Sequence, residues 1–242
     1  MKISICIPMY NEEKIVVSCA KAITEEMESY CEKAGDEYEI IFSDDGSTDA
    51  SVALLPSGDN LHFGRIKSCL SDHNTGKGGA VRRAVAASSG DAVLYTDCDL
   101  AYGTAVIPEA VDLLKNENID AVAGSRAIHP DGYAAYGIFR RIASKVYMTA
   151  LKLIAGFSMT DSQCGFKLFS GELARRIFSV AECDGWAFDF EIFLLAEKEK
   201  AVIREMPVKI INHRESHIHM ISDSINMICE FIKIKRRIKK RR

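Results

Sequence analysis

Residues 91–103 read DAVLYTDCDLAYG: an apolar run, Ala92 to Tyr95, followed by two carboxylates one residue apart, Asp97 and Asp99. A buried strand has no use for two like charges at its tip. Side chains alternate along a strand with period two, so both carboxylates are expected on one side. There they repel unless a cation lies between them or one keeps its proton. With no His or Cys beside them, these hard oxygen donors suit Mg²⁺ or Mn²⁺, which commonly take one or two carboxylates plus substrate phosphates. A D-x-D in a surface loop is common by chance, whereas one at the end of a core strand is a candidate metal site.

The flanking sequence repeats the same grammar. ISICIPMY is a strand running into a loop, and NEEKIVVSCAKAITEEMESYCEKAG has helical spacing, with Asn11 as N-cap, acids in the first turn and Gly35 past the end. YEIIFSDDGSTDAS is a second strand closed by acids, TGKGGAVRRAVAASSG a glycine loop opening a helix, IPEAVDLLKNEN a helix and IDAVAGSR a strand. Strands alternating with helices predict an α/β fold with a mainly parallel sheet, whose ligands bind beyond the carboxyl ends of the strands. The clusters PMYNEE, DDGSTD and DCD all fall at such ends. In the second half, FRRIASKVYMTALKLIAGF and WAFDFEIFLLAEKEKA read as helices, DSQCGFKLFSGELARRIF as a short strand and helix, and VIREMPVKII as an edge strand. Trp186 and Phe188 are expected in the core.

Length and composition bound the remainder. The chain has 242 residues, 48% hydrophobic, enough for one large domain. Its eight cysteines show neither C-x-x-C pairs nor zinc spacing, so reduced thiols in a cytoplasmic protein are expected. The opening MKISICIPMYNEE starts a strand at once and has no signal-peptide pattern. The longest helical apolar stretch, VYMTALKLIAGF, contains Lys152 and is too short to span a bilayer. The net charge of −3 conceals an asymmetry, because the last ten residues, KIKRRIKKRR, hold eight of the 31 basic side chains and no acid. Ile218, Ile221, Ile225, Ile228 and Ile232 form a helical apolar stripe leading into that tail. The division expected is a domain at 1–217 and an amphipathic helix with a basic tail at 218–242. The tail suits an anionic partner, and the stripe suits a lipid leaflet, core packing or the interface of a homodimer.

Two further motifs are weak singly. Asp44 and Asp45 in SDDGSTD could simply be turn formers. NTGKGGAV offers glycines, Lys77 and a helix N-terminus suited to phosphate, without the spacing of a P-loop. In combination, SICIPMYNEE, FSDDGSTDAS, NTGKGGAVRRA and YTDCDL, in that order, closely resemble the family 2 glycosyltransferases, which have the GT-A fold. That resemblance implies that Pro8, Tyr10, Asn11, Glu12 and Asp44 hold the nucleotide, with Asp45 and Lys77 beside them. It also implies that Asp97 and Asp99 hold a divalent metal on the sugar-nucleotide diphosphate.

AGSR, RRIASKVYM, DSQCGFKLF, WAFDFEIFLLA and EMPVKI extend the resemblance to the branch that glycosylates polyprenyl and dolichyl phosphates. Ala101 stands where mannosyl members usually carry Gln, and Asp161 to Phe169 resemble the glucosyl members, so UDP-glucose is the expected donor and polyprenyl phosphate the expected acceptor. The sequence departs from the family at Cys98, where Ala is usual, and at His217, where a late S-K motif would have Lys; the second departure puts the roles of Arg214, Ser216 and His217 in doubt.

The resemblance implies an inverting hexosyltransferase, cytoplasmic and peripheral at the inner face of a membrane. A phosphate acceptor is already ionised and needs no general base. Arg126, Arg140 and Arg141 are the expected ligands of that phosphate, because guanidinium grips phosphate with two parallel hydrogen bonds. Asp161, grouped with Asp97 and Asp99 as catalytic, and Gln163 fall in the acceptor-side motif. A saccharide or protein hydroxyl as acceptor is the alternative, with Asp161, Asp189 or Glu191 as base; mannosyl transfer from GDP-mannose is another. A non-catalytic binder is disfavoured by the intact Asp97 and Asp99, and a nucleotidyltransferase by the missing G-x-G-T-R loop. No nucleic-acid partner is expected.

Overall fold

The computed structural model describes residues 1–56, 65–134, 148–149, 151–152, 159–212 and 220–240, the side chains of 220–229 excepted. Its apolar runs form β1 (Lys2–Met9), β2 (Glu37–Asp44), β3 (Ile66–Leu70), β4 (Ala92–Thr96), β5 (Ala121–Ser125), β6 (Phe166–Ser170) and β7 (Ile203–Pro207). They make one sheet in the order β3-β2-β1-β4-β6-β5-β7. Every pairing is parallel except those of β6, which runs antiparallel between β4 and β5. β1, β2, β4 and β5 therefore all deliver their C-terminal ends to one edge. Because Thr96 pairs with Phe166, the start of β6 lies at that edge too.

Strand alternation divides the core. Ile3, Ile5, Ile7, Leu94 and Leu168 face one side with the buried residues of α1 (Val16–Ala34) and α3 (Val106–Asn116). Cys6, Val93, Tyr95 and Phe169 face the other, against α2 (Lys77–Ala87), α4 (Gly171–Val180), α5 (Phe188–Lys198) and α6 (Met220–Lys240). With helices covering both faces, the central strands β1, β2 and β4 read as nearly unbroken apolar runs. Among the described residues no helix is long and apolar enough to cross a membrane.

Several expectations change here. α1 starts at Val16 after Ile15, with no acid in its first turn, and Asn11 does not cap it. Asn11 adopts φ 55° instead, and its Oδ1 accepts from Thr48 N–H at 2.9 Å. Gly35 does end the helix as expected, at φ 67° with its N–H on Cys31 O. β3 was not foreseen, because this edge strand is partly or largely exposed along its length and shows no apolar alternation. The helix expected over FRRIASKVYMTALKLIAGF lies largely outside the described residues, as do Arg140, Arg141, Arg214, Ser216 and His217. VIREMPVKII supplies β7 at the sheet edge, as its composition suggests.

Of the C-terminal isoleucine stripe, Ile232 is half-buried, and the side chains of Ile218, Ile221, Ile225 and Ile228 lie outside the description. The helix docks through Phe231, Ile234 and Ile238, all buried in the core shared with α2, α4 and α5. The Phe231 ring meets Phe190 edge-on, with centroids 5.0 Å apart. Lys233, Lys235, Arg236, Lys239 and Lys240 remain exposed.

One buried charge ties the sheet together. Glu39, 3% exposed on β2, accepts from Ser4 Oγ at 2.6 Å, Ser89 N–H at 2.8 Å and Lys67 Nζ at 2.7 Å. Burial alone would raise its pKa; the hydrogen bonds from Lys67, Ser4 and Ser89 outweigh burial and hold it at about 2. The folded value lies below the unfolded one, so this stabilisation is complete above the ordinary Glu pKa and is lost as pH falls towards about 2. Lys67 is half-exposed, and solvent screening reduces the contribution to on the order of 2 kcal/mol. Glu39→Gln should lower stability by that amount at neutral pH in urea titrations, and its difference from wild type should shrink below about pH 4.

Candidate active site

The loops after β1 and β2 are hydrogen-bonded to each other. Asn11 N–H donates to Ser47 Oγ at 2.8 Å, Glu12 N–H to Ser51 Oγ at 2.6 Å and Glu13 N–H to Asp49 Oδ2 at 3.2 Å. Asp44 is buried at the end of β2, where its carboxylate accepts from Gly46 N–H, Ser47 N–H and Ser47 Oγ. Asp45, also buried, accepts from Thr75 N–H and Oγ1, from Gly76 N–H at 2.7 Å and from Arg83 Nη2 at 2.6 Å. The two acids thus shape the walls of the site: one closes its own turn, the other fastens the glycine loop to β2. Pro8 is buried at the end of β1, and Tyr10, 45% exposed, stands at the rim.

The glycine loop rests on the segment between α4 and α5. Gly78 N–H donates to Asp184 O at 2.8 Å. A Cβ on Gly76 would come within 2.5 Å of that oxygen, and one on Gly78 within 2.6 Å of Phe188 Cβ. Only glycine permits this approach. It brings Lys77 onto Asp97 as an ion pair, with the lysine side chain 16% exposed. Burial would lower the Lys77 pKa; the charges of Asp97, Asp189 and Asp99 outweigh it, so the ammonium stays protonated. On the same segment Trp186 is 60% exposed, its ring 5.8 Å from Lys77 Nζ. Phe188 is buried as expected, whereas Trp186 is not, because it precedes the first turn of α5 and faces the edge of the site.

Asp97 and Asp99 are both half-buried. β4 ends at Thr96, so a turn closed by Leu100 N–H on Asp97 O at 3.0 Å directs the pair, instead of strand alternation. Asp99 Oδ1 accepts from Ala101 N–H at 3.1 Å. Burial first, and then the negative charge of Asp97, raises the Asp99 carboxyl above its ordinary value. Asp97 lies over Gly165, where a Cβ would fall on its carboxylate. The donor set fits a hard divalent cation: two carboxylates, Asp97 and Asp99, with the Lys77 ammonium beside Asp97. Among the described residues no cluster of three His, Cys, Asp or Glu side chains could hold a metal by itself, so remaining positions would fall to water and ligand oxygens.

Across the edge, Asp161 and Arg126 form a buried two-point pair: Nε to Oδ2 at 2.7 Å and Nη2 to Oδ1 at 2.8 Å, with the Arg126 N–H also on Oδ2. Burial would raise the Asp161 carboxyl, but Arg126 more than offsets it and holds it below the usual range. Gln163 N–H donates to Asp161 Oδ1 at 3.2 Å. Asp189 Oδ1 accepts from Tyr95 OH at 2.5 Å and from the fully buried Lys167 at 2.7 Å. Glu191 turns away, accepting from Glu182 N–H, Cys183 N–H and Arg237. Lys167, Tyr95 and Arg83 join these networks without a motif that marks them. The one visible signal was a lysine set within the apolar string CGFKLF.

These features define a GT-A architecture: a mostly parallel sheet whose C-terminal edge carries acids, a glycine loop and a lysine. The model of glycosyl transferase family 2 matches residues 4–178, and the chain belongs to that family. A dolichyl-phosphate beta-glucosyltransferase of Dictyostelium discoideum is 30% identical over 96% of this chain and 73% of its own length. Glycosyltransferase AglD of Haloferax volcanii is 29% identical over 94% of this chain, which spans only 36% of that relative. The same fold occurs in glucosyl-3-phosphoglycerate synthase from Mycobacterium tuberculosis, crystallised with Mn²⁺, UDP-glucose and phosphoglyceric acid. That match has TM-score 0.68 and 21% identity, covering 97% of this chain and 79% of that one.

Arg126→Ala should cost about 3–5 kcal/mol in urea titrations, since it strands a buried carboxylate. Adding Asp161→Asn should recover much of the loss.

Proposed function

We propose that this chain transfers glucose from UDP-glucose to a polyprenyl phosphate at a membrane surface, with inversion and with Mg²⁺ or Mn²⁺. The observation that carries the reading is the meeting of Asp97, Asp99 and Lys77 at the mouth of two hydrogen-bonded loops. The relatives named as dolichyl-phosphate beta-glucosyltransferases support the sugar and the lipid phosphate.

In this reading the loops bearing Pro8, Tyr10, Asn11, Glu12, Asp44 and Asp45 seat the nucleotide. A divalent cation held by Asp97 and Asp99 would neutralise charge growing on the leaving diphosphate. Lys77, kept protonated, adds a second positive charge on the same side. Arg126, oriented by Asp161, and Gln163 line the acceptor side, with Arg140 and Arg141 as further phosphate ligands. The acceptor attacks as an anion, so no side chain has to remove a proton. That agrees with Asp189 Oδ1 already accepting two hydrogen bonds and Glu191 pointing elsewhere. The protein's contribution is then orientation and electrostatics.

The exposed cations of α6 support peripheral attachment to an anionic leaflet. Phe231, Ile234 and Ile238 occupy the packed face, and Lys233, Lys235, Arg236, Lys239 and Lys240 are exposed. Near an anionic membrane each such cation contributes about 1 kcal/mol.

Incubation of polyprenyl phosphate with UDP-glucose and Mg²⁺ or Mn²⁺ should yield glucosyl lipid, and chelator should abolish it. Asp97→Asn and Asp99→Asn should each lower the rate on the order of 10²–10³-fold. Mannosyl lipid from GDP-mannose alone would replace the sugar assignment, and donor hydrolysis without lipid product would overturn the acceptor. Replacing the five exposed α6 cations by Gln should abolish sedimentation with phosphatidylserine liposomes at low salt; unchanged binding would remove the membrane role of this helix.

A further inference from the structure

The C-terminal helix reaches the donor side of the site through one guanidinium. Arg237 is half-buried; its Nη2 lies 2.5 Å from Glu191 Oε1 and its Nη1 3.1 Å from Glu182 Oε2. Glu191 is fully buried, and its other oxygen accepts from Glu182 N–H at 2.9 Å and Cys183 N–H at 2.6 Å. The segment gripped in this way is the floor of the glycine loop. Asp184 O accepts from Gly78 N–H at 2.8 Å, the Asp184 carboxylate pairs with Arg82, and Arg82 Nη1 donates to Ala181 O at 3.2 Å. Lys77, next to Gly78, holds Asp97. Each link is a direct contact, running from α6 through α5 and the 181–187 segment to α2 and the end of β4.

A buried carboxylate with two N–H donors and one cation is balanced; without the cation it is an uncompensated charge. It must then draw in water, which competes for the oxygen that holds the two N–H groups. The glycine loop lies so close to this segment that a Cβ on Gly76 would meet Asp184 O at 2.5 Å, so a shift beneath the loop is passed on to it.

We propose that Arg237 is a positioning residue of the donor site, acting through Glu191 to hold the 181–187 segment against the glycine loop and so to set Lys77 on Asp97. The proposal rests on the donor-side reading of Lys77. It makes the last turns of α6 part of the nucleotide-sugar site, whatever the exposed face of that helix binds.

The chain supplies its own reporter, since its single tryptophan, Trp186, lies in the gripped segment. Wild type, Arg237→Ala, Arg237→Lys and Ile234→Ala are compared in three measurements: acrylamide quenching of Trp186 without nucleotide, the Kd of UDP with Mg²⁺ by calorimetry, and KM for both substrates. Arg237→Ala should increase quenching, weaken UDP about tenfold and raise the donor KM in parallel, leaving the KM of polyprenyl phosphate within about twofold. Arg237→Lys, which keeps charge but loses the two-point grip, should fall between it and wild type. Ile234→Ala, which removes only packing from the same helix, should lower the melting temperature without changing UDP affinity in the folded protein.

Quenching and UDP affinity unchanged in Arg237→Ala, or changed equally in Ile234→Ala, would overturn the proposal. If Arg237→Ala fails to fold, Arg237→Lys decides by the same two measurements. Absence of glucosyl transfer in the wild type would count against the proposed substrates, because quenching and UDP binding test the coupling without turnover.

Discussion

The pairing of Thr96 with Phe166 sets the geometry on which the rest of the site depends. β6 enters the sheet against the direction of its neighbours, so its first residue, and the residues before it, lie at the same edge as the last residues of β4. A parallel strand in that slot would have sent Asp161–Gly165 to the opposite edge. As built, Gly165 faces the Asp97 carboxylate closely enough to exclude a side chain, and Asp161 meets Arg126 at the end of β5. The D-x-D and the Asp161–Gly165 segment, far apart in sequence, meet at one edge of the sheet.

Charge is handled differently at each position along that edge. Asp44, Asp45 and Asp161 are buried and fully engaged, the first two by backbone N–H groups, hydroxyls or Arg83, the third by Arg126 and two backbone N–H groups. Such acids stabilise the charged form of the site by geometry, and removing a partner is costly. Asp97 and Asp99 are half-buried, and burial together with the charge of Asp97 raises the Asp99 carboxyl. That contrast separates the acids that fasten the loops from Asp97 and Asp99, which are half-buried and have the donor chemistry of a hard-cation site.

The C-terminal helix has two faces in different surroundings. Phe231, Ile234 and Ile238 enter the main core, and Arg237 reaches the buried Glu191, so part of the basic run belongs to the interior. The remaining cations stand on the exposed face. An arginine can serve the interior while its neighbours stay in water because its long apolar stem lies along the packed surface.

The sequence by itself determined the class of fold and the identity of the chemical groups. Alternating strands and helices, acids at strand ends, a glycine loop with Lys77 and the D-x-D at Asp97 and Asp99 were all legible, because local periodicity and spacing record local structure. What tertiary structure alone decided was which of those groups face each other. The sequence could not distinguish Asp45, clamped to Thr75 and Arg83, from Asp97, beside Lys77, since the difference lies in contacts made across the fold. Nor could it show that Trp186 is exposed while Phe188 is buried, that Glu191 faces α6 while Asp189 faces Lys167, or that Asn11 serves a loop and not a helix cap. β3 escaped for the same reason: an edge strand with little buried surface leaves no apolar pattern, and only pairing with β2 defines it. Periodicity reveals what one segment must bury; the register of the sheet and the docking of helices decide what it buries against.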